Sequence, residues 1–205
     1  MRTCPLLLLP AVVGLCIVLG TPIGSSHVRA AAGQQAATRA ANPTPPPVQP
    51  VATIDLERYL GRWYEIARFP NRFQEKCTGN VTAQYARRDD GRLDVRNACA
   101  TNEGTVETNG VARRADKRGP ASRLEVRFAP AILSFLPAVW GDYWILDIAP
   151  DYSTAVVGSP DRQYLWFLSR TPYVDQATYA RMVGVARSQG FDVERLQRTP
   201  QDARE

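Results

Sequence analysis

The sequence predicts an all-β fold, an eight-stranded antiparallel up-and-down barrel with a helical turn before the first strand and one α-helix packed outside after the last. Three observations carry this expectation. Short β-type runs recur at 8–15-residue spacing from Gly61 onward, and there are eight of them. Turn signals separate the runs, and closing eight strands into a barrel removes both exposed edges; a sandwich is the alternative, which periodicity alone does not separate from the barrel and which the motifs below decide. A single helical period follows the last run, with no internal repeat anywhere.

The chain opens on one charge, Arg2, followed by an almost wholly apolar stretch from Leu6 to Gly20. That pattern matches a secretory signal and is short for a membrane span, which needs about 20 residues. Small residues follow at Ala30, Ala31 and Ala32, so residues 1–32 read as a signal peptide or an uncleaved anchor. Leu15 precedes Cys16, which makes Val13-Gly14-Leu15-Cys16 a poor lipobox, and lipoprotein anchoring is not expected. Residues 33–50 hold five prolines and no apolar period, a Pro/Ala-rich linker with nothing in it to build a core. The folded domain is then expected at 51–200, with 201–205 as a tail. The expected location is exported, in the periplasm or associated with the cell envelope at the outer membrane.

The candidate strands are 61–69, 79–87, 92–99, 105–113, 122–128, 141–149, 153–159 and 163–170. Alternation is clearest where Leu124, Val126 and Phe128 interleave with Arg123, Glu125 and Arg127. Asp89-Asp90-Gly91 and Pro150-Asp151-Tyr152 mark turns. After Thr171-Pro172, Asp175 can cap a helix through about Gln189, with Gly190 beyond its end. Tyr179, Met182, Val183 and Ala186 form its apolar stripe, expected to pack against the sheet.

Composition excludes several chemistries. The only histidine, His27, lies in the leader, so His-ligated metal or haem and a Ser-His-Asp triad lack their central part. No metal or cofactor is expected, and no catalytic residue is assigned. Three of the 25 basic residues fall in positions 1–50, which leaves 22 against 20 acidic ones beyond. A domain so nearly balanced carries no footprint for nucleic acid. Of the four cysteines, Cys4 and Cys16 belong to the leader. Cys77 and Cys99 flank the hairpin turning at Asp89-Asp90-Gly91, and in an exported chain that placement suggests one disulfide.

Three segments in order then carry a family likeness. Asp55 to Arg68 runs a helical turn into a strand through Gly61-Arg62-Trp63; Ile148 to Val157 places Asp151-Tyr152 in a turn before a strand; Tyr164 to Pro172 ends on Arg170. Together these resemble the lipocalin signatures, closest to the branch of bacterial lipocalins, plant temperature-induced lipocalins and apolipoprotein D. Parity agrees with the likeness. Loops alternate between the ends of an up-and-down barrel, so Gly61, Trp63, Asp151, Tyr152 and Arg170 share one end. There they are expected to close the floor structurally, with Leu56, Tyr59 and Leu60 plugging it from below.

The opposite end would carry the loop 129–140, twelve residues with one polar side chain. Such a loop suits a lid over an apolar mouth or a patch that dips into a membrane surface, against the alternative of folding back as core. With Trp63 facing in, period two places Glu65, Ala67 and Phe69 inside, and Leu124, Val126 and Phe128 on strand five. Gly110 and Ala112 would leave volume. Trp144 and Leu146 are candidate lining residues on a strand apolar on both faces, and Ile132, Leu133, Phe135 and Trp140 candidates from the loop. An inward Glu65 would orient a ligand head group or pair with an arginine. The resemblance implies a calyx binding a fatty acid, lysophospholipid or similar small hydrophobic ligand, to transport or store it in membrane maintenance or stress response, as a monomer or weak dimer. Two rivals stand beside this: an enzyme on the same barrel acting on a lipid or isoprenoid, and a protein-interaction module with a filled barrel.

Overall fold

The computed structural model describes residues 45–202, so the leader readings at 1–32, including Cys16 and His27, lie outside the described residues. Eight strands, β1 (Gly61–Arg68), β2 (Gly79–Arg87), β3 (Leu93–Thr101), β4 (Gly104–Arg114), β5 (Arg123–Arg127), β6 (Gly141–Ile148), β7 (Thr154–Gly158) and β8 (Leu165–Ser169), each pair antiparallel with the next. β1 also pairs with β8, which closes the barrel. The short helix α1 (Leu56–Tyr59) precedes β1, α2 (Gln176–Ser188) follows β8, and a two-residue strand β9 (Gln197–Arg198) pairs with β1.

Local chemistry explains the ends of these elements. The Asp55 carboxylate caps α1, accepting from the backbone N–H groups of Glu57 and Arg58, and Asp175 caps α2 by accepting from Thr178 N–H. Gly61 enters β1 at φ +92°, a conformation open to glycine, and brings the backbone against Arg170. The β2–β3 turn closes at Gly91 with φ +79°.

Two hydrophobic clusters organise the molecule. The inner one fills the lower barrel with Tyr59, Trp63, Tyr85, Leu124, Tyr143, Ile145 and their neighbours. The outer one lies between the barrel wall and α2, whose Met182 and Ala186 are fully buried against Phe167, Val156 and Leu146. The expected helical stripe therefore packs on the sheet.

Packing begins before Val51, earlier than composition implies. Val48 is only 4% exposed within the outer cluster. Gln49 and Gln189 exchange hydrogen bonds, and Arg162 reaches the carbonyls of Gln189 and Pro46. Proline-rich composition misses this docking because a single buried valine and backbone partners suffice for it. At the other end, Thr199 N–H donates to Ile66 O, Asn80 N–H donates to Pro200 O, and the Gln201 amide donates to the Glu65 and Val81 carbonyls. The C-terminal segment thus wedges between β1 and β2 where the two diverge, and Gln201 and Asp202 belong to the barrel wall.

Candidate functional site

Directly opposed residues on neighbouring strands share a face, so the register fixes which side chains look into the barrel. Trp63 opposes Ala83, and Glu65 opposes Leu168, both members of or packed on the inner cluster. A bulge between Glu65 and Ala67 then inverts the phase. Ala67 opposes Phe167 and, with Phe69, joins the outer cluster, whereas Arg68 opposes Trp166 and turns inward. Strict alternation placed Ala67 and Phe69 inside, and the extra residue overturns that. On β6 Tyr143 opposes Leu124 and faces in with Ile145, while Trp144 and Leu146 alternate with them and pack outward. The expected inward Trp144 and Leu146 are corrected by that register, since a strand apolar on both faces leaves its phase unmarked in the sequence; a second bulge follows between Ile145 and Asp147.

The floor is sealed as the parity argument expects. Arg170 lies 3.8 Å over the Trp63 ring and donates to the carbonyls of Arg62 and Arg58, at 2.7 Å each. Trp63 Nε1 donates to Tyr59 O, and the Tyr152 hydroxyl accepts from Asp55 N–H. Above this, Tyr59, Tyr143 and Tyr85 link hydroxyl to hydroxyl at 2.8 Å. Burial pushes the Tyr85 phenol up to about 12 and holds Tyr59 and Tyr143 well above their ordinary value, so all three stay neutral hydrogen-bonding groups. A wall of rings continues upward through Trp166 and Tyr164, stacked at 5.7 Å, to Phe73 at the rim.

At the opposite end several inward-facing positions are exposed. On β4, Ala112 faces in, and so by alternation do Gly110, Thr108 and Val106; of these, Thr108 and Val106 are exposed. Leu124 and Val126 line β5 as expected, Leu124 at 1% exposure. Gly110 and Ala112 leave less space than expected, because the Phe128 ring lies where a Cβ on Gly110 would stand and Ala112 is buried. Phe73, Val106, Phe128, Ile132, Leu133, Phe135 and Leu136 ring this end, seven of the eight large exposed hydrophobics among the described residues. Ile132 and Phe135 reach 78% and 75% exposure, so their part of the 129–140 loop does not fold back as core. Trp140 instead lies half-buried outside the barrel, between the guanidinium groups of Arg113 and Arg127, its indole donating to Ser134 O. Its expected place over the mouth is corrected by that anchoring.

One polar cluster lies inside the cup. Glu65, 3% exposed, accepts from the Gln74 amide at 2.6 Å, the Thr199 hydroxyl at 2.5 Å and Arg68 at 3.3 Å. Gln74, on the loop after β1, also accepts from the Trp166 indole and from Arg68 through its carbonyl. Burial raises the Glu65 carboxyl above its ordinary value, against the opposing pull of Gln74, Thr199 and Arg68. Two buried inward atoms, Arg68 Nε and Asn97 Oδ1, find no partner among the described residues. Periodicity could not reveal Arg68 or Gln74, since one owes its direction to a bulge and the other sits on a loop.

Cys77, on the loop before β2, and Cys99, on β3, form a disulfide with Cα atoms 5.7 Å apart. Among the described residues no group of three or more His, Cys, Asp or Glu side chains is arranged to hold a metal ion. No described helix is long and apolar enough to cross a membrane.

Residues 54–201 match a family model described as a lipocalin-like domain. Temperature-induced lipocalin-1 of Arabidopsis thaliana is 43% identical over 152 residues, 74% of this chain and 81% of that protein. Outer membrane lipoprotein Blc of Escherichia coli K12 is 39% identical over 156 residues, covering 76% and 84%. Apolipoprotein D of Mus musculus is 34% identical over 166 residues, covering 76% and 80%. Among solved structures, insecticyanin from the tobacco hornworm Manduca sexta superposes with a TM-score of 0.60 at 19% identity, over 78% of this chain and 87% of that one.

Proposed function

The chain belongs to the lipocalin-like family, and from that premise we propose that it is an exported carrier whose barrel takes one single-chain amphiphile, such as a fatty acid or lysophospholipid. Relatives of this kind are binding proteins for small hydrophobic ligands. The observation that carries the reading is the concentration of exposed apolar side chains at the end of the barrel opposite the Arg170–Trp63 floor. Water penalises such a rim, and a ligand chain or a lipid surface relieves the penalty. The acyl chain would lie along Trp166, Val126 and Phe128, with Ile132, Leu133 and Phe135 at the entrance and the filled tyrosine floor limiting its depth. The same rim would touch a membrane surface while ligand passes. The likeness to Blc, an outer membrane lipoprotein, and the apolar leader support an envelope location at the outer membrane and a role in membrane maintenance as part of this proposal.

Organic extracts of the purified chain test this reading by mass spectrometry. Near-stoichiometric amphiphile, displaced by added fatty acid, is the expected result. A chain that carries no lipid, and that binds none after delipidation, would refute it.

A further inference from the structure

Arg68 is the cation of the cup, and its surroundings leave it short of acceptors. Its three protein partners sit at 3.3–3.4 Å: Glu65 Oε1, the Thr199 hydroxyl and the Gln74 carbonyl. Its Nε is buried and finds no acceptor among the described residues. Glu65 is the better satisfied half of the pair, because its two short bonds come from Gln74 and Thr199. A guanidinium carries five N–H donors, and here Nε–H and one Nη2 hydrogen remain unclaimed. Its opposed neighbour is Trp166, which belongs to the ring wall running from rim to floor.

Resting on the carrier reading, we infer that Arg68 is an anion subsite inside the cup that receives the carboxylate of an acyl acid. A planar carboxylate can take two donors from a guanidinium and share the cation with Glu65, while the alkyl chain extends along Trp166 and the apolar wall. A lysophosphatidylcholine suits the position less well, because its quaternary ammonium would accompany the phosphate toward a cation that Glu65 only partly balances. The ligand class narrows to free carboxylates, which an ester or an alcohol of the same chain length cannot replace.

The test compares cis-parinaric acid with its methyl ester near neutral pH, using the delipidated full chain, Arg68→Gln and Glu65→Gln. Wild type should prefer the acid by about tenfold or more. Arg68→Gln should abolish that preference. Glu65→Gln, which frees Arg68 from its resident carboxylate, should strengthen it, so the idea stands exposed even where Arg68→Gln folds poorly. Equal affinity of wild type for acid and ester would overturn the subsite and leave the carrier reading intact. Failure of wild type to bind either probe would overturn both.

Discussion

Arg170 concentrates three interactions at the floor: the stack on Trp63 and two donations to backbone carbonyls of the α1–β1 segment. A stack of this kind contributes about 0.5–2 kcal/mol and a net hydrogen bond about 0.5–1.5 kcal/mol, the lower range applying because the Arg170 guanidinium is only half-buried. Arg170→Ala should therefore lower stability by about 2–4 kcal/mol in denaturant titration, with Arg170→Lys recovering only part, since an ammonium does not stack as a planar group. A variant as stable as wild type would remove the floor from the account. Glu65 makes a prediction of opposite character. Its carboxyl is raised by burial, so the folded chain holds the proton to higher pH than the unfolded chain does. The stability this group contributes is full below the unfolded value and is lost as pH rises through the folded one. Urea midpoints between about pH 4 and pH 8 should decline less in Glu65→Gln than in wild type. Parallel profiles would show that ionising Glu65 costs nothing.

At the scale of elements, the disulfide and the C-terminal wedge hold the mouth end of β1, β2 and β3. Cys77 and Cys99 enclose a sequence separation of 22, for which chain entropy assigns about 3 kcal/mol. Replacing both by alanine should lower the denaturant midpoint accordingly while leaving the fold unchanged by circular dichroism. An unchanged midpoint would show that the bridge restrains nothing. Removing residues 197–205 should raise amide exchange at Asn80, whose N–H donates to Pro200 O, and leave β3–β4 protected. Exchange unchanged at that amide would contradict the wedge. These elements also mark what the sequence makes legible. Eight strands and α2 stand out because period two, turn residues and an N-cap are local signals. The floor stands out because Trp63, Tyr152 and Arg170 occupy ends that parity can count. A bulge breaks the count without a compositional mark, which hides the outward turn of Ala67 and Phe69 and the inward turn of Arg68; Trp144 and Leu146 escape because β6 is apolar on both faces and period two does not fix its phase. β9 and the docked Val48 escape for a related reason: each is too short to carry a period, and long-range partners define it.

Across the barrel as a whole, the two ends are chemically opposite: one sealed by stacked rings and hydrogen bonds, the other rimmed by exposed apolar side chains. Transfer of an exposed isoleucine or phenylalanine out of water is worth about 1.5–3 kcal/mol. Ile132→Glu with Phe135→Glu should thus reduce sedimentation with phosphatidylcholine vesicles by about tenfold or more, and should leave thermal stability within about 0.5 kcal/mol, as for other surface changes. Undiminished sedimentation would take the rim out of any membrane contact. The central claim, that ligand sits inside the cup on the wall beside Arg68, can be read directly from tryptophan indole signals. The chain has four tryptophans, of which Trp166 faces the cup, Trp63 lies in the floor, Trp144 packs outside and Trp140 is clamped between Arg113 and Arg127. In a proton–nitrogen correlation spectrum titrated with a fatty acid, the Trp166 indole should move or broaden first and most, while Trp140 and Trp144 hold still. A titration that leaves Trp166 in place, or that shifts only Trp144 and Trp140, would put the ligand outside the barrel and contradict the account.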